Sequence, residues 1–197
     1  MTYVLGLTGS IAMGKSTTAA LFAAEGIPVW DADATVHRLY DRAGDAVAPL
    51  GAAFPAAVID GAVSRAILND IVADDPSALG LIESIVHPLV ARHRTAFLEG
   101  AENDIVVLDV PLLFESGVDD LCDGVAVVST TDEEQRRRVL ARPGMDEAKL
   151  ATLLSRQMPD AEKRTRADWV IETTTLEHAA RQVRDIIAEI RKKMADA

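Results

Sequence analysis

Short apolar runs alternate along this chain with longer stretches of helical periodicity. Five runs read as strands: Tyr3–Leu7, Ile27–Trp30, Ile105–Asp109, Val125–Ser129 and Trp169–Ile171. They are rich in Val, Ile and Leu, and several are apolar throughout, as parallel strands covered on both faces are. The stretch from Lys15 to about Ala24 is alanine-rich and stops at Gly26, a residue suited to the left-handed turn that ends a helix. The final stretch carries Leu176, Ala179, Ala180, Val183, Ile186, Ile187 and Ile190 on one face. That stripe runs for under three heptads, which favours a terminal helix lying on a sheet over a dimerising coil. The alternation predicts an α/β fold, a three-layer sandwich around a five-stranded parallel sheet.

Between the second and third strands lies a long interruption, Ala32 to Asp104. A single crossover needs far fewer residues. Three helical patterns fall inside it, around Ala32–Tyr40, Ser64–Ala73 and Pro88–Glu99, so it reads as a helical insert within one domain. No internal repeat or low-complexity linker divides the chain further.

Composition narrows the class. The 197 residues are 49% hydrophobic and 26% charged, an ordinary globular balance. Twenty basic residues against 31 acidic ones leave a net charge of −11, which argues against nucleic acid or anionic membranes as partners. Cys122 is the only cysteine, so neither a disulfide framework nor a thiolate metal cage is expected. No apolar run is long enough for a membrane helix, and the opening residues do not resemble a signal peptide. These features predict a cytoplasmic protein, for which a monomer is a sufficient state.

The chemistry begins at Gly9-Ser-Ile-Ala12-Met13-Gly14-Lys15-Ser16, which fits G-x4-G-K-[ST] between an apolar strand and a helix. In such a P-loop, glycines permit the tight turn and successive N–H groups face a phosphate chain. The following helix N-terminus, which includes Thr17, adds positive potential. Lys15 is expected to reach the β- and γ-phosphates of ATP, and Ser16 to ligate Mg²⁺. No N-K-x-D segment follows, which counts against a GTPase. A phosphotransferase or an ATP-driven switch remains.

Two strands end in carboxylates, where the ligand crevice of a parallel sheet lies. Asp31 and Asp33 close the second strand. One of them is expected to cap the next helix, and at least one to face the site. Asp109 ends Ile105-Val-Val-Leu-Asp, the pattern of a Walker B aspartate that helps hold Mg²⁺.

Residues 136–166 concentrate positive charge: Arg136, Arg137, Arg138, Arg142, Lys149, Arg156, Lys163, Arg164 and Arg166 against four acidic residues. The segment is about +5 in a remainder near −16. Arg136 and Arg137 read as solvated, whereas Arg138, Arg142 and Arg156 are expected to contact phosphate from a mobile lid over 136–164. The stretch lacks the interleaved aromatics of a nucleic-acid site. His87, before Pro88, is expected to be extended just ahead of a helix and to cap it or touch substrate.

With these residues in place, the chain resembles the dephospho-coenzyme A kinase family along essentially its whole length. The likeness rests on Gly6-Leu-Thr-Gly9 through Gly14-Lys-Ser-Thr17, Asp31-Ala-Asp33, Arg65 and His87-Pro88-Leu-Val. It continues through Asp109-Val-Pro-Leu-Leu-Phe-Glu115, Gln135-Arg-Arg-Arg138, Arg142, Arg156-Gln157-Met158 and Ala167-Asp168. The resemblance implies a P-loop kinase that transfers the ATP γ-phosphoryl to the 3′-hydroxyl of dephospho-CoA. Another small-metabolite or nucleoside kinase, or a non-enzymatic ATP-binding switch, is the alternative. It further implies a core over 1–31, 101–135 and 165–197, an acceptor-binding insert over 32–100 and a lid over 136–164. Asp33, Lys15 and Arg142 would be catalytic. Gly9, Ala12, Met13, Gly14, Ser16, Thr17 and Arg138 would join Lys15 and Arg142 at ATP. Thr8, Asp33, Arg65, His87 and Leu113 would meet the acceptor, and Ser16 with Asp109 the metal. Two positions depart from the family pattern. Ala12 stands where glycine is common, so its backbone must avoid positive φ or carry strain. Glu172 stands where Asn is common, so no adenine contact is assigned to it.

Overall fold

The computed structural model describes residues 2–196. The chain divides into two compact units, Met1–Trp30 with Ala101–Ala197, and Asp31–Gly100.

The first unit is organised by a parallel sheet of five strands: β1 (Tyr3–Thr8), β2 (Val29–Asp31), β5 (Ile105–Asp109), β6 (Gly124–Ser129) and β7 (Trp169–Glu172), in the order β2-β5-β1-β6-β7. The strands β3 and β4 belong to a small hairpin in the second unit. In the central strand, Leu7 lies opposite Asp109, the last residue of β5, and Ala126 of β6. Strands β1 and β5 therefore end together beside the loop that follows β1, while β6 runs on to Ser129. Along β5 and β6 every residue is buried, which accounts for their lack of polar alternation.

One face of the sheet carries Leu5, Leu7, Ile105, Val107, Ala126, Val128 and Ile171. It packs against Ala19 and Phe22 of α1 (Lys15–Ala24) and against Ala179, Val183, Ile186, Ile187 and Ile190 of α9 (Leu176–Asp196). The terminal helix therefore lies on the sheet, as its stripe predicts. Leu176 departs from the stripe: it opens the helix at 61% exposure. The opposite face is covered by residues 113–122 and by α8 (Asp160–Arg166), preceded by α6 (Asp132–Leu140) and α7 (Glu147–Leu154).

Strand boundaries differ from expectation at β2, which starts at Val29 rather than Ile27. Pro28 has no N–H to give, and its carbonyl accepts from Val107 N–H (2.9 Å) as the chain enters the sheet.

The second unit contains α2 (Ala32–Tyr40), α3 (Val47–Ala53), the hairpin β3 (Val58–Ile59) and β4 (Ala62–Val63), α4 (Arg65–Asp74) and α5 (Ala78–Glu99). Its core gathers Leu39, Leu50, Val63, Leu68, Ile82 and Val86. The long α5 corrects the reading of His87 as extended. Helix begins nine residues before His87, and Pro88 lies inside it. An internal proline costs about 3 kcal/mol. Burial of Ile82 and Val86, each worth about 1.5–3 kcal/mol, offsets it.

Candidate functional site

The P-loop leaves β1 at Gly9, where a Cβ would lie 2.7 Å from the carbonyl oxygen of Val128. Only glycine lets the backbone pass that close to β6. The turn then tightens: Met13 N–H bonds to Ser10 O (3.2 Å), and Ala12 and Gly14 adopt φ of 60° and 94°. Ala12 therefore carries the left-handed strain that its departure from glycine foreshadows. Met13 turns its side chain into the core, where its Sδ accepts from Thr130 N–H (3.2 Å). Its N–H being taken by Ser10, Met13 shapes the cradle without presenting a polar group of its own.

Gly14 is the N-cap of α1, and the first bond into the helix runs from Thr18 N–H to Gly14 O (3.0 Å). The N–H groups of Lys15, Ser16 and Thr17 precede that bond, so the helix itself leaves them available to an anion. The hydroxyls of Ser16 and Thr17 are exposed. Lys15 Nζ is ion-paired with Asp109 Oδ1 at the end of β5, and Asp109 is only 1% exposed.

Thr173, just past β7, holds the loop from the far side. Its hydroxyl donates to Met13 O (2.6 Å), and its side chain would touch any Cβ added at Gly14. Arg138 reaches the same place, donating to Thr173 O (2.6 Å) and Ala12 O (3.4 Å) while its Nε bonds Glu134 (2.7 Å). Its guanidinium thus borders the P-loop with most of its donors engaged. Glu134, between Arg137 and Arg138, is held down to a pKa of about 2 by their hydrogen bonds. Glu172 is exposed and faces Gln182 and His178, so the inward residue at this strand end is Thr173.

Arg136 and Arg137 are exposed and paired with Glu147 and Glu134, as expected of solvated arginines. Arg142 and Arg156 are also exposed, and among the described residues their side chains have no hydrogen-bond or ion-pair partner. Two of the acceptor-side expectations meet committed side chains. Thr8 is buried and donates to Pro111 O (3.1 Å), and Leu113 is fully buried where a Cβ on Gly6 would strike it. In the loop after β5, residues 110–117, the neighbouring Leu112 is exposed instead.

Composition did not single out the pair beneath this loop. Lys163 is fully buried and bonds Glu115 (3.0 Å) and Pro111 O (3.4 Å), while Glu115 also accepts Met158 N–H (2.7 Å). Burial pushes the Glu115 carboxyl up, but the Met158 N–H and Lys163 together bring it below its usual range.

Within the second unit, Asp31 accepts Ala34 N–H (2.9 Å) as the N-cap of α2, which settles which of the two aspartates caps. Asp33 lies exposed in the first helical turn. Arg65 opens α4 and stacks over the Tyr40 ring (5.5 Å). His87 is exposed on α5.

A parallel sheet with a P-loop after its central strand, and a lysine against the carboxylate that ends the neighbouring strand, defines the class as a P-loop kinase fold. A shikimate kinase from Acinetobacter baumannii, solved with shikimate, is similar in fold alone, at TM-score 0.53 and 19% identity over 98% of this chain and 95% of that one. A solved protein from Thermus thermophilus superposes at TM-score 0.83 and 39% identity, covering 95% of this chain and 97% of that one. The family model for dephospho-CoA kinase matches residues 3–178. A protein named dephospho-CoA kinase from Ruegeria pomeroyi is 57% identical over 97% of both chains. This chain belongs to the dephospho-CoA kinase family.

Proposed function

We propose that this chain transfers the γ-phosphoryl group of ATP to the ribose 3′-hydroxyl of dephospho-CoA, yielding CoA and ADP in the final step of CoA synthesis. The observation that carries the acceptor's identity is the extent of the family match, residues 3–178, which includes all of Asp31–Gly100 as well as the P-loop. We take the chain to act in the cytoplasm.

In this reaction the acceptor oxygen bonds to the γ-phosphorus as the bond to the β–γ bridging oxygen breaks. The transition state is loose, so the hydroxyl needs orientation and a late acceptor for its proton. We assign that role to Asp33, because Asp31 is committed to capping α2. Lys15 neutralises charge on the transferring group, and the N–H groups of Lys15, Ser16 and Thr17 hold the phosphates. Arg142 and Arg156, whose side chains have no partner among the described residues, are assigned to the phosphates from the lid. Arg65 and His87 are assigned to the acceptor.

The residues suit a magnesium ion shared with substrate: an exposed hydroxyl at Ser16 and a carboxylate at Asp109 beside the P-loop lysine. Mg²⁺ in kinases needs only one or two protein ligands, the rest being phosphate oxygens and water. When bound, it neutralises charge on the β- and γ-phosphates.

The test is product identity. Purified protein with MgATP and dephospho-CoA is expected to yield CoA phosphorylated at the ribose 3′ position, read by phosphorus NMR. Phosphate on another atom, or no product, would contradict the assignment.

A further inference from the structure

The peptide of Ile11, inside the P-loop, is held from two directions by glutamines far away in sequence. Its N–H donates to Gln157 Oε1 (3.2 Å), and its carbonyl accepts from Gln135 Nε2 (2.8 Å). Backbone groups in such a loop have no helix or ladder partner and must be satisfied otherwise. Here side chains from two separate elements supply both bonds. Gln135 is 6% exposed and lies one helical turn from the buried Val139, so α6 packs it inward. Gln157 follows α7, in a segment fixed again one residue later by the bond from Met158 N–H to Glu115 (2.7 Å).

The two anchors make a continuous connection. Lys163 and Glu115 fix residue 158, residue 157 grips the P-loop, and Arg156 directly precedes that grip with its guanidinium unpartnered among the described residues. The Ile11 N–H is already used, so the phosphate cradle is built from later N–H groups. The position of those groups depends on where the Ile11 peptide is held.

We propose that Gln135 and Gln157 are positioning residues for ATP. They clamp the Ile11 peptide from both sides, so the P-loop turn is set before the nucleotide arrives, and Gln157 locks the Arg156 segment to that turn. Preorganised donors lose less on binding than donors that must be ordered at that moment. The proposal rests on the reading of ATP as phosphoryl donor and adds two residues to its site.

The test uses the full chain and a non-hydrolysable ATP analogue with Mg²⁺, titrated by calorimetry without acceptor. Gln135→Met and Gln157→Met each remove one bond at similar volume. Each is expected to weaken analogue binding by about tenfold, with the KM for dephospho-CoA little changed and the melting temperature lowered by only a few degrees. A second pair separates bond direction from charge. In Gln157→Glu the carboxylate still accepts the Ile11 N–H, whereas in Gln135→Glu it meets the Ile11 carbonyl. Both add one negative charge beside the same peptide, and the cost of the deeper burial at residue 135 is read separately, from the two variants' melting temperatures. Gln135→Glu is expected to bind the analogue about tenfold more weakly than Gln157→Glu. Equal affinity of the two Glu variants, or wild-type affinity in both Met variants, overturns the proposal. If a Met variant does not fold, the Glu pair decides. Wild-type turnover with dephospho-CoA is followed in parallel: its failure would count against the acceptor and leave the binding comparison intact.

Discussion

The ammonium of Lys15, the first residue of α1, is paired with the carboxylate of Asp109, the last residue of β5. The pairing follows from register, because β5 lies beside β1 and Asp109 is level with Leu7. It keeps the lysine beside the P-loop and a negative charge out of water at the strand end. Lys15→Met is expected to lower kcat by about 10²–10³-fold, the usual loss when a preorganised positive group is removed. It should also cost roughly 2 kcal/mol of stability, since the nearly buried Asp109 loses its ion pair. Steady-state kinetics and urea unfolding on one preparation measure both.

Ala12 sits at φ 60°, where a side chain costs roughly 1 kcal/mol relative to glycine. Ala12→Gly is therefore expected to gain several tenths of a kcal/mol, the strain relief exceeding the added freedom of the unfolded chain. A thermal melt that falls instead of rising would show that the alanine is not strained there.

The pair of buried Lys163 and more exposed Glu115 gives a pH signature. Glu115 titrates lower in the folded protein than its ordinary value of 4.5. It thus contributes stability that is full above that value and lost as pH falls through the folded pKa. Glu115→Gln leaves Lys163 buried without its carboxylate and should cost about 3 kcal/mol at neutral pH. The double variant Glu115→Gln with Lys163→Met should recover most of that loss, because its Gln still accepts Met158 N–H and no buried ammonium is left. Its acid limb should be flatter because the titrating carboxylate is gone. Unfolding free energies measured between neutral and acid pH test both statements.

Arg142 is exposed and unpartnered among the described residues. Its replacement by alanine should leave stability within about 0.5 kcal/mol. If it serves the transferring phosphoryl group, Arg142→Ala lowers kcat by about 10²-fold or more with a smaller change in KM for the acceptor. A raised acceptor KM at normal kcat would move Arg142 to the acceptor.

The core strands were legible because β5 and β6 are buried on both faces and so could not hide their apolar runs. The P-loop was legible because glycine, lysine and serine are demanded at set spacing. Other features needed three dimensions. The hairpin at Val58–Val63 turns through Asp60 and Gly61, both at positive φ, and the Asp-Gly pair is the local signal that could have revealed it. Pro88 gave a misleading helix start, since local backbone preference was overridden by the apolar face of α5. Thr173 and Lys163 have no local signature at all. Each acquires its role only when distant segments meet, Thr173 at Met13 and Lys163 at Glu115. For Gln135 and Gln157 the family motif marked the positions, and only the fold supplied what they hold.

The most direct measurement of the central claim is ADP release from MgATP, with dephospho-CoA, AMP, shikimate, a nucleoside or no acceptor present. Rapid release is expected with dephospho-CoA alone, and it should collapse in Asp33→Asn while the melting temperature stays put. Release that is indifferent to the acceptor, or that depends on one of the others, would contradict a kinase built for dephospho-CoA.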